Sequence, residues 1–186
     1  MKNILSATAL AAALIAGASA TASAQTVTVG GQPMYSTKDI VDNAVNSADH
    51  TTLVAAVKAA GLVATLKSKG PFTVFAPVND AFRDLPDGTV ASLLKPENKM
   101  ALTKVLTYHV VPGIWSAAAL EKAIRKGHGS TMLKTASGGT LTASMNGERN
   151  IVIADESGGV ARISTYDVFQ SNGVIQVVDK VLLPKM

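Results

Sequence analysis

Residues 72–82 read FTVFAPVNDAF, a β-strand that passes directly into the start of a helix. β-forming residues fill its first half, and Pro77 ends the run because proline has no backbone N–H to donate to a ladder. Asn79 or Asp80 then offers a side chain that can cap a short helix. The two phenylalanines of the strand stand three positions apart and point to opposite faces. We therefore expect them to enter different parts of the hydrophobic core.

The chain changes character from helix to strand on either side of this segment. Apolar residues recur at helical spacing from Ile40 to Ala48 and again from Leu53 to Ala60, where Gly61 provides a stop. The second half instead contains β-like runs that glycine-containing turns separate. These runs are Thr131–Thr135, Thr140–Met145, Ile151–Ala154, Val160–Val168 and Val174–Leu183. Helices followed by a mostly antiparallel sheet predict an α+β domain.

The N-terminus has the pattern of a cleavable export signal. A lysine follows the first methionine, Ile4–Ala18 is almost wholly apolar, and Ala22-Ser23-Ala24 is the small-x-small pattern that a signal peptidase accepts. We expect a signal peptide over residues 1–24, a polar tether over 25–35 and one domain over 36–184. Cleavage after Ala24 predicts a periplasmic or secreted protein.

The composition narrows the classes of partner and anchor. The formal net charge is +4, and the basic residues are scattered rather than gathered in a stripe. Nucleic acid is therefore not an expected partner. The chain has no cysteine, so neither a disulfide framework nor a lipid-modified cysteine is expected. No second apolar run is long enough to span a bilayer, and we expect a monomer without a membrane anchor.

The sequence offers little catalytic or metal-binding chemistry. Its three histidines, His50, His109 and His128, stand far apart and show no metal-ligand spacing. We expect His50 and His128 to lie at the surface. The tetrapeptide Ser92-Leu93-Leu94-Lys95 fits an S-x-x-K pattern, but the accompanying elements are out of order. A helix with core leucines is the preferred interpretation. The sequence predicts no enzyme, no metal site and no other cofactor.

Three segments together resemble the signatures of the fasciclin (FAS1) family. FTVFAPVNDAF at 72–82 resembles the first signature, Tyr108-His109-Val110-Val111 the central Tyr-His motif, and NGVIQVVDKVLLP at 172–184 the closing signature. Their order and spacing agree with the family over residues 36–184. The resemblance implies the FAS1 fold, with N-terminal helices packed on a mostly antiparallel β-sheet wedge or sandwich. It also implies a non-enzymatic binding protein of cell adhesion, whose partner is a surface protein, glycan or lipid.

The resemblance also directs attention to particular residues. In animal relatives the Tyr-His neighbourhood has been linked to integrin binding, which makes Tyr108 and His109 candidate contact residues. The opposing interpretation is a buried His109 that bonds to a backbone carbonyl. The family usually has histidine at the position of Gln176. Glutamine keeps the hydrogen-bonding capacity of that position but has no titratable ring, so a pH-dependent role is not expected there.

A second functional interpretation is a periplasmic carrier of an apolar small molecule. Some family members hold carotenoids, so the resemblance implies a carotenoid or lipid as cargo. Ile114 and Trp115 follow a Pro-Gly break, and Met132 and Met145 lie in the strand half. Such side chains can line an adaptable apolar cleft. Ile114 and Trp115 are therefore candidate ligand- or partner-binding residues, together with Tyr108 and His109.

Overall fold

The computed structural model describes residues 26–185, so the expected signal peptide lies outside the described residues. The elements in chain order are β1 (Val27–Val29), β2 (Gln32–Met34), α1 (Ile40–Ala44), α2 (Thr51–Ala60), α3 (Val63–Leu66), β3 (Phe72–Pro77), α4 (Asn79–Arg83), α5 (Thr89–Leu93), α6 (Lys99–Tyr108), β4 (Val110–Pro112), α7 (Ala117–Lys126), β5 (Ser130–Lys134), β6 (Thr140–Asn146), β7 (Asn150–Ala154), β8 (Val160–Gln170) and β9 (Gly173–Val178). Within this described range, no helix is long and apolar enough to cross a membrane.

Seven of the strands form one sheet in the order β4-β3-β9-β8-β7-β6-β5. Neighbouring strands run antiparallel except β3 and β9, which run parallel with Phe72 opposite Gly173. Beyond the end of β5, the backbone N–H of Ala136 donates to the carbonyl of Val110 in β4 (2.8 Å). The sheet therefore curls until its two edges meet. The α+β class and the mostly antiparallel sheet are confirmed, although β3 comes from the helical half of the sequence.

The sheet separates two hydrophobic cores. The first core lies between the outer face of the sheet and helices α1, α2, α3 and α6. The second core fills the inside of the curl and is covered by α7. Phe72 packs against the first core and Phe75 belongs to the second, which confirms the expectation that the two rings separate. Each large aliphatic or aromatic side chain buried here contributes about 1.5–3 kcal/mol, so both cores stabilise the same sheet.

Within the segment expected to be a tether, residues 25–35, the described residues 26–35 are instead part of the packed domain. Within it, β1 and β2 form an antiparallel hairpin. Val29 and Met34 of this hairpin are buried in the first core. The side chain of Asn43 in α1 accepts from the N–H of Tyr35 (3.0 Å) and donates to its carbonyl (2.7 Å). The packed domain therefore starts before the expected residue 36. The tether interpretation rested on polar composition, which does not indicate the pairing of β1 with β2.

Asn79 caps a helix other than the expected one. Helix α4 begins at Asn79 but has no side-chain cap. Instead, Asn79 Oδ1 accepts from the backbone N–H of Thr52 (3.0 Å) and from the hydroxyl of Thr51 (3.2 Å), at the start of α2. Its Nδ2 donates to the carbonyl of Ala48 (2.8 Å). The residue after β3 therefore ties the sheet to the N-terminus of α2, whose first N–H groups need acceptors.

The closing strand is shorter than the apolar run that predicted it. β9 ends at Val178, whereas the run continues to Leu183. The chain leaves the sheet at Asp179, whose carboxylate accepts from the backbone N–H of Arg162 (2.7 Å). Leu182 is nevertheless fully buried in the second core. The apolar run thus serves first as a strand and then as irregular chain that closes the core.

Asn172 joins three elements that are distant in the sequence. Its Oδ1 accepts from the N–H of Ile40 (3.0 Å), at the start of α1. Its Nδ2 donates to the carbonyls of Leu66 (2.7 Å) and Ser68 (3.0 Å), at the end of α3. The Asn-Gly turn before β9 therefore holds two helices on the sheet as well as reversing the chain.

Replacing Asn172 by alanine is expected to lower the free energy of unfolding by about 2 kcal/mol, because two partly buried bonds and one exposed bond to backbone groups are lost. Asn146 begins the other Asn-Gly turn, and no side-chain bond of Asn146 occurs among the described residues. Asn146→Ala is thus the matched control and is expected to change stability by less than about 0.5 kcal/mol. Urea unfolding followed by circular dichroism measures both variants. Equal losses in the two would contradict the clamping role of Asn172.

Candidate functional site

Tyr108 ends α6 inside the second core, where it links two turns of the sheet. Its side chain is fully buried. The hydroxyl donates to the carbonyl of Thr140 (2.8 Å) and accepts from the backbone N–H of Glu156 (3.0 Å). Gly139 leaves room for the ring, since a Cβ there would stand 2.6 Å from Tyr108 Cε2. Tyr108 therefore holds the β5–β6 and β7–β8 turns together and does not face solvent.

His109 is buried and both of its ring nitrogens are bonded. Nε2 accepts from the backbone N–H of Leu182 (2.9 Å), so Nδ1 carries the proton and donates to the carbonyl of Val105 (2.8 Å). Burial lowers the pKa of His109 to about 4, so the imidazole is neutral at ordinary pH. The interpretation of His109 as a buried histidine bonded to a backbone carbonyl is confirmed. Its role is to fasten the C-terminal segment to α6.

Gln176, where the family usually has histidine, is fully buried in a hydrogen-bonded network. Its Nε2 donates to the carbonyl of Trp115 (2.9 Å) and to the carboxylate of Asp167 (2.8 Å), and its Oε1 accepts from the N–H of Asp167 (3.1 Å). The same carboxylate accepts from the N–H of Ala117 (2.8 Å), at the start of α7. The amide of Gln176 therefore fixes the loop before α7, and this position carries no titratable ring.

Ile114 and Trp115 lie on the loop before α7, and side-chain hydrogen bonds attach this loop to the sheet. The hydroxyl of Thr73 donates to the carbonyl of Gly113 (2.7 Å) and accepts from the N–H of Trp115 (2.8 Å). The indole N–H of Trp115 donates to the carbonyl of Pro112 (3.3 Å). Trp115 is half-buried against the second core, whereas Ile114 is 43% exposed. The loop therefore presents an isoleucine to solvent on a fixed support.

Phe169 of β8 is a contact candidate that the sequence interpretation missed. The strand register places Phe169 opposite Val174, and Val174 opposite Thr73, so these three side chains share one face of the sheet. Phe169 is 48% exposed. Because Thr73 also holds the loop, Ile114, Trp115 and Phe169 flank the same end of the sheet. We refer to these three residues as the 114–169 patch.

The two remaining histidines differ in burial. His128 is exposed, as expected. His50 is buried, which corrects the expectation of a surface position: the N-terminal hairpin packs against Ser47, and His50 Nδ1 lies 2.9 Å from the Ser47 hydroxyl. Burial lowers the pKa of His50. No group of three or more His, Cys, Asp or Glu residues that could hold a metal ion occurs in the described part of the chain.

The S-x-x-K segment is helical at its start and packs by its leucines. Ser92 and Leu93 belong to α5, and Leu93 and Leu94 pack against the first core. Ser92 is exposed, and its hydroxyl accepts from the side-chain amide of Asn98 (3.2 Å). Lys95 is exposed. This confirms the interpretation as a helix with core leucines.

An apolar cavity of about 130 Å³ lies within the first core. Its walls come from α1, α2, α3, α6 and the outer face of β3, β4 and β9, and they include Ile40, Leu53, Val57, Leu66, Leu106 and Ile175. His109 lines the cavity from the end of α6, whereas Tyr108, Ile114 and Trp115 are not among its lining residues. Of the four residues that the sequence predicts to bind a ligand or partner, only His109 therefore lines the cavity.

Comparison with known proteins places the chain in a family. The sequence model of the fasciclin domain matches residues 48–184. The chain belongs to the fasciclin family. This fasciclin domain is 48% identical over 147 residues to Protein sll1483 of Synechocystis sp., across 79% of this chain and 74% of that protein. It is also 35% identical over 146 residues to Immunogenic protein MPB70 of Mycobacterium bovis, across 76% of this chain and 66% of that protein.

Longer proteins carry similar domains. The transforming growth factor-beta-induced protein ig-h3 of Sus scrofa is 35% identical over 132 residues, which are 71% of this chain and 17% of that protein. A solved FAS1 domain pair from the insect cell adhesion molecule Fasciclin I superposes with a TM-score of 0.68 at 19% identity, over 78% of this chain and 51% of that chain. The FAS1 fold implied by the three signatures is therefore confirmed.

In the described part of the chain, the three signatures of this fasciclin domain stabilise the fold. The first and closing signatures form the parallel pair β3 and β9. The Tyr-His motif supplies two buried cross-links, through Tyr108 to two turns and through His109 to the C-terminal segment. The 114–169 patch lies outside the three signatures, whereas residues of all three signatures line part of the apolar cavity.

Proposed function

We propose that this chain is an exported, non-enzymatic binding module that mediates attachment through a surface protein, glycan or lipid. The export pattern at the N-terminus supports a periplasmic or extracellular location. Family membership and the shared fold with a domain pair from an insect cell adhesion molecule support a role in adhesion. The module acts as a monomer without nucleic acid or a bound cofactor.

The 114–169 patch is the observation that carries this proposal. Ile114 and Phe169 expose 43% and 48% of their surface, although the backbone beneath them is held by hydrogen bonds and strand pairing. Apolar and aromatic side chains on a rigid support pay little conformational entropy on binding and are typical of the centres of protein interfaces. The patch therefore offers a preformed contact surface.

Deleting the gene is expected to reduce surface attachment and cell aggregation, because the module that makes the contact is lost. The measurement compares the deletion strain with its parent in an attachment assay under flow and in an aggregation assay. Reintroducing the wild-type gene serves as the control and is expected to restore both properties. Unchanged attachment and aggregation in the deletion strain would contradict an adhesive role.

A second candidate function is supported by the apolar cavity, which favours a carrier of an apolar small molecule. Protein purified from its native source is then expected to contain extractable lipid or to show a visible absorption band. Extraction with organic solvent followed by mass spectrometry, together with an absorption spectrum, tests this expectation. Colourless protein that yields no lipid would contradict the carrier function and leave the adhesive one untouched.

A further inference from the structure

A basic groove opens beside the apolar cavity. The groove has a volume of about 410 Å³ and lies along α6. Thr107 lines both the cavity and the groove. Ala136 lines the cavity while its neighbour Ser137 lines the groove, so the two spaces adjoin at the end of α6 and the turn after β5. The remaining lining residues of the groove are Lys99, Met100, Thr103 and Lys104.

Lysines line both the cavity and the groove. Lys58 is exposed and lines the cavity from α2, while Lys99 and Lys104 line the groove. None of these three lysines forms an ion pair with another residue of the described range. The carboxylate of Glu156, near the same turn, accepts from the backbone N–H of Thr140 (2.9 Å). An anionic group in the groove would therefore meet two lysines that have no ion-pair partner in the described range, against one nearby carboxylate.

We propose that the cavity and groove together bind a single-chain amphiphile with a carboxylate head, of the medium-chain fatty acid type. This inference rests on the carrier function proposed above as the second candidate. The alkyl chain enters the apolar cavity and the carboxylate lies in the groove among Lys58, Lys99 and Lys104. Transfer of the chain from water into apolar surroundings provides most of the affinity, and the lysines select the head group.

The size of the cavity sets the length of the chain. An apolar cavity of about 150 Å³ holds one molecule of benzene, and saturated carbons are bulkier than aromatic ones, so a cavity of about 130 Å³ takes an alkyl segment of about five carbons. The groove accommodates the carbons next to the head group. A fatty acid of about eight carbons therefore fills the site, and a carotenoid does not fit unless the helices separate.

Isothermal titration calorimetry with fatty acids of increasing length tests the site in the mature protein. Affinity is expected to rise about fourfold per methylene up to octanoate and to rise no further once the cavity is full. Octanol has the same chain without the charge, and it is expected to bind roughly two- to fivefold more weakly at low salt. Affinity that keeps rising beyond ten carbons would overturn the assignment of chain length.

Two variants that fill the cavity test the location. Val54 and Ala44 are half-buried lining residues, so larger side chains there enter the cavity at little cost to the rest of the core. Val54→Phe and Ala44→Leu are each expected to lower octanoate affinity at least tenfold. Nuclear Overhauser effects from ¹³C-labelled octanoate to the methyl groups of Leu53 and Ile175 provide a second test in the unmodified protein. Contacts to other methyl groups alone would overturn the location.

A pair of lysine variants tests the head group. Lys58→Gln/Lys104→Gln is expected to weaken octanoate binding roughly two- to fivefold while octanol binding stays the same. The control, Lys122→Gln/Lys134→Gln, removes two exposed charges from α7 and β5 and is expected to change neither. Octanol binding as tight as octanoate would refute the carboxylate inference and leave the carrier function intact. Absence of binding by either ligand would refute the inference, and extraction of the protein from its native source would then decide the carrier function separately.

Discussion

Replacing Gly173 by alanine is expected to destabilise the domain by about 4 kcal/mol, which brings it close to unfolding. Gly173 begins β9 directly opposite Phe72 of β3. A methyl group at this position would overlap the carbonyl oxygen of Phe72 and stand 3.0 Å from Ile40 Cδ1. The oxygen belongs to a paired strand and cannot move aside without breaking the ladder. Position 173 therefore tolerates only glycine. The strands that pair there, β3 and β9, come from the first and closing signatures.

Gly147→Ala is the matched control for this prediction, because Gly147 also follows an asparagine in a turn. Its φ of +79° strains any other residue, but a Cβ there meets nothing within 4 Å. A loss of about 1–2 kcal/mol is expected from backbone strain alone. Urea unfolding measured on both variants separates strain from overlap. Equal destabilisation of the two would contradict the close approach of β3 and β9.

Lowering the pH from 7 to 4 is expected to reduce the free energy of unfolding by about 3 kcal/mol through His109 alone. The pKa of His109 is about 4 in the folded chain because burial disfavours the charged ring, whereas histidine in an unfolded chain titrates near 6.5. The folded state therefore binds the proton less readily than the unfolded state. Stability is complete above about pH 6.5, falls as the pH drops toward 4 and levels off below it.

Two variants check the assignment of this pH dependence. His109→Gln keeps a donor and an acceptor without a titratable ring, so its stability is expected to change much less between pH 7 and 4.5. His128→Gln removes an exposed ring and is expected to keep the wild-type slope. Burial lowers the pKa of His50 too, so part of the slope remains in His109→Gln. Identical slopes in His109→Gln and the wild type would contradict the buried neutral imidazole.

Local patterns predicted much of this fold correctly. The opposite placement of Phe72 and Phe75 followed from strand periodicity, and the five later β-like runs correspond to β5 through β9. The burial of His109 was one of two interpretations that its neighbours left open. These successes share a cause: the side-chain direction in a strand and the position of a glycine turn depend on adjacent residues.

The features that sequence reasoning missed depend on distant partners. Asn79 caps α2, about 30 residues before it, and Asn172 clamps two helices far upstream, so neither role has a local pattern. The two register shifts in β8 cancel each other, so Phe169 keeps the face of Ile163, and its exposure depends on which distant segments cover that end of the sheet. The apolar cavity is enclosed by four helices and three strands, and its volume depends on how they pack.

The most direct test of the adhesive function is surface attachment of the deletion strain complemented with patch variants. Ile114→Ser/Phe169→Ser removes the exposed apolar contacts of the 114–169 patch. Val45→Ser/Val160→Ser is the control, because these side chains are 46% and 47% exposed but lie elsewhere on the domain. With both proteins exported at equal levels, the control is expected to restore attachment and the patch variant to leave it at the level of the deletion strain. Full restoration of attachment by the patch variant would contradict a function that acts through this surface.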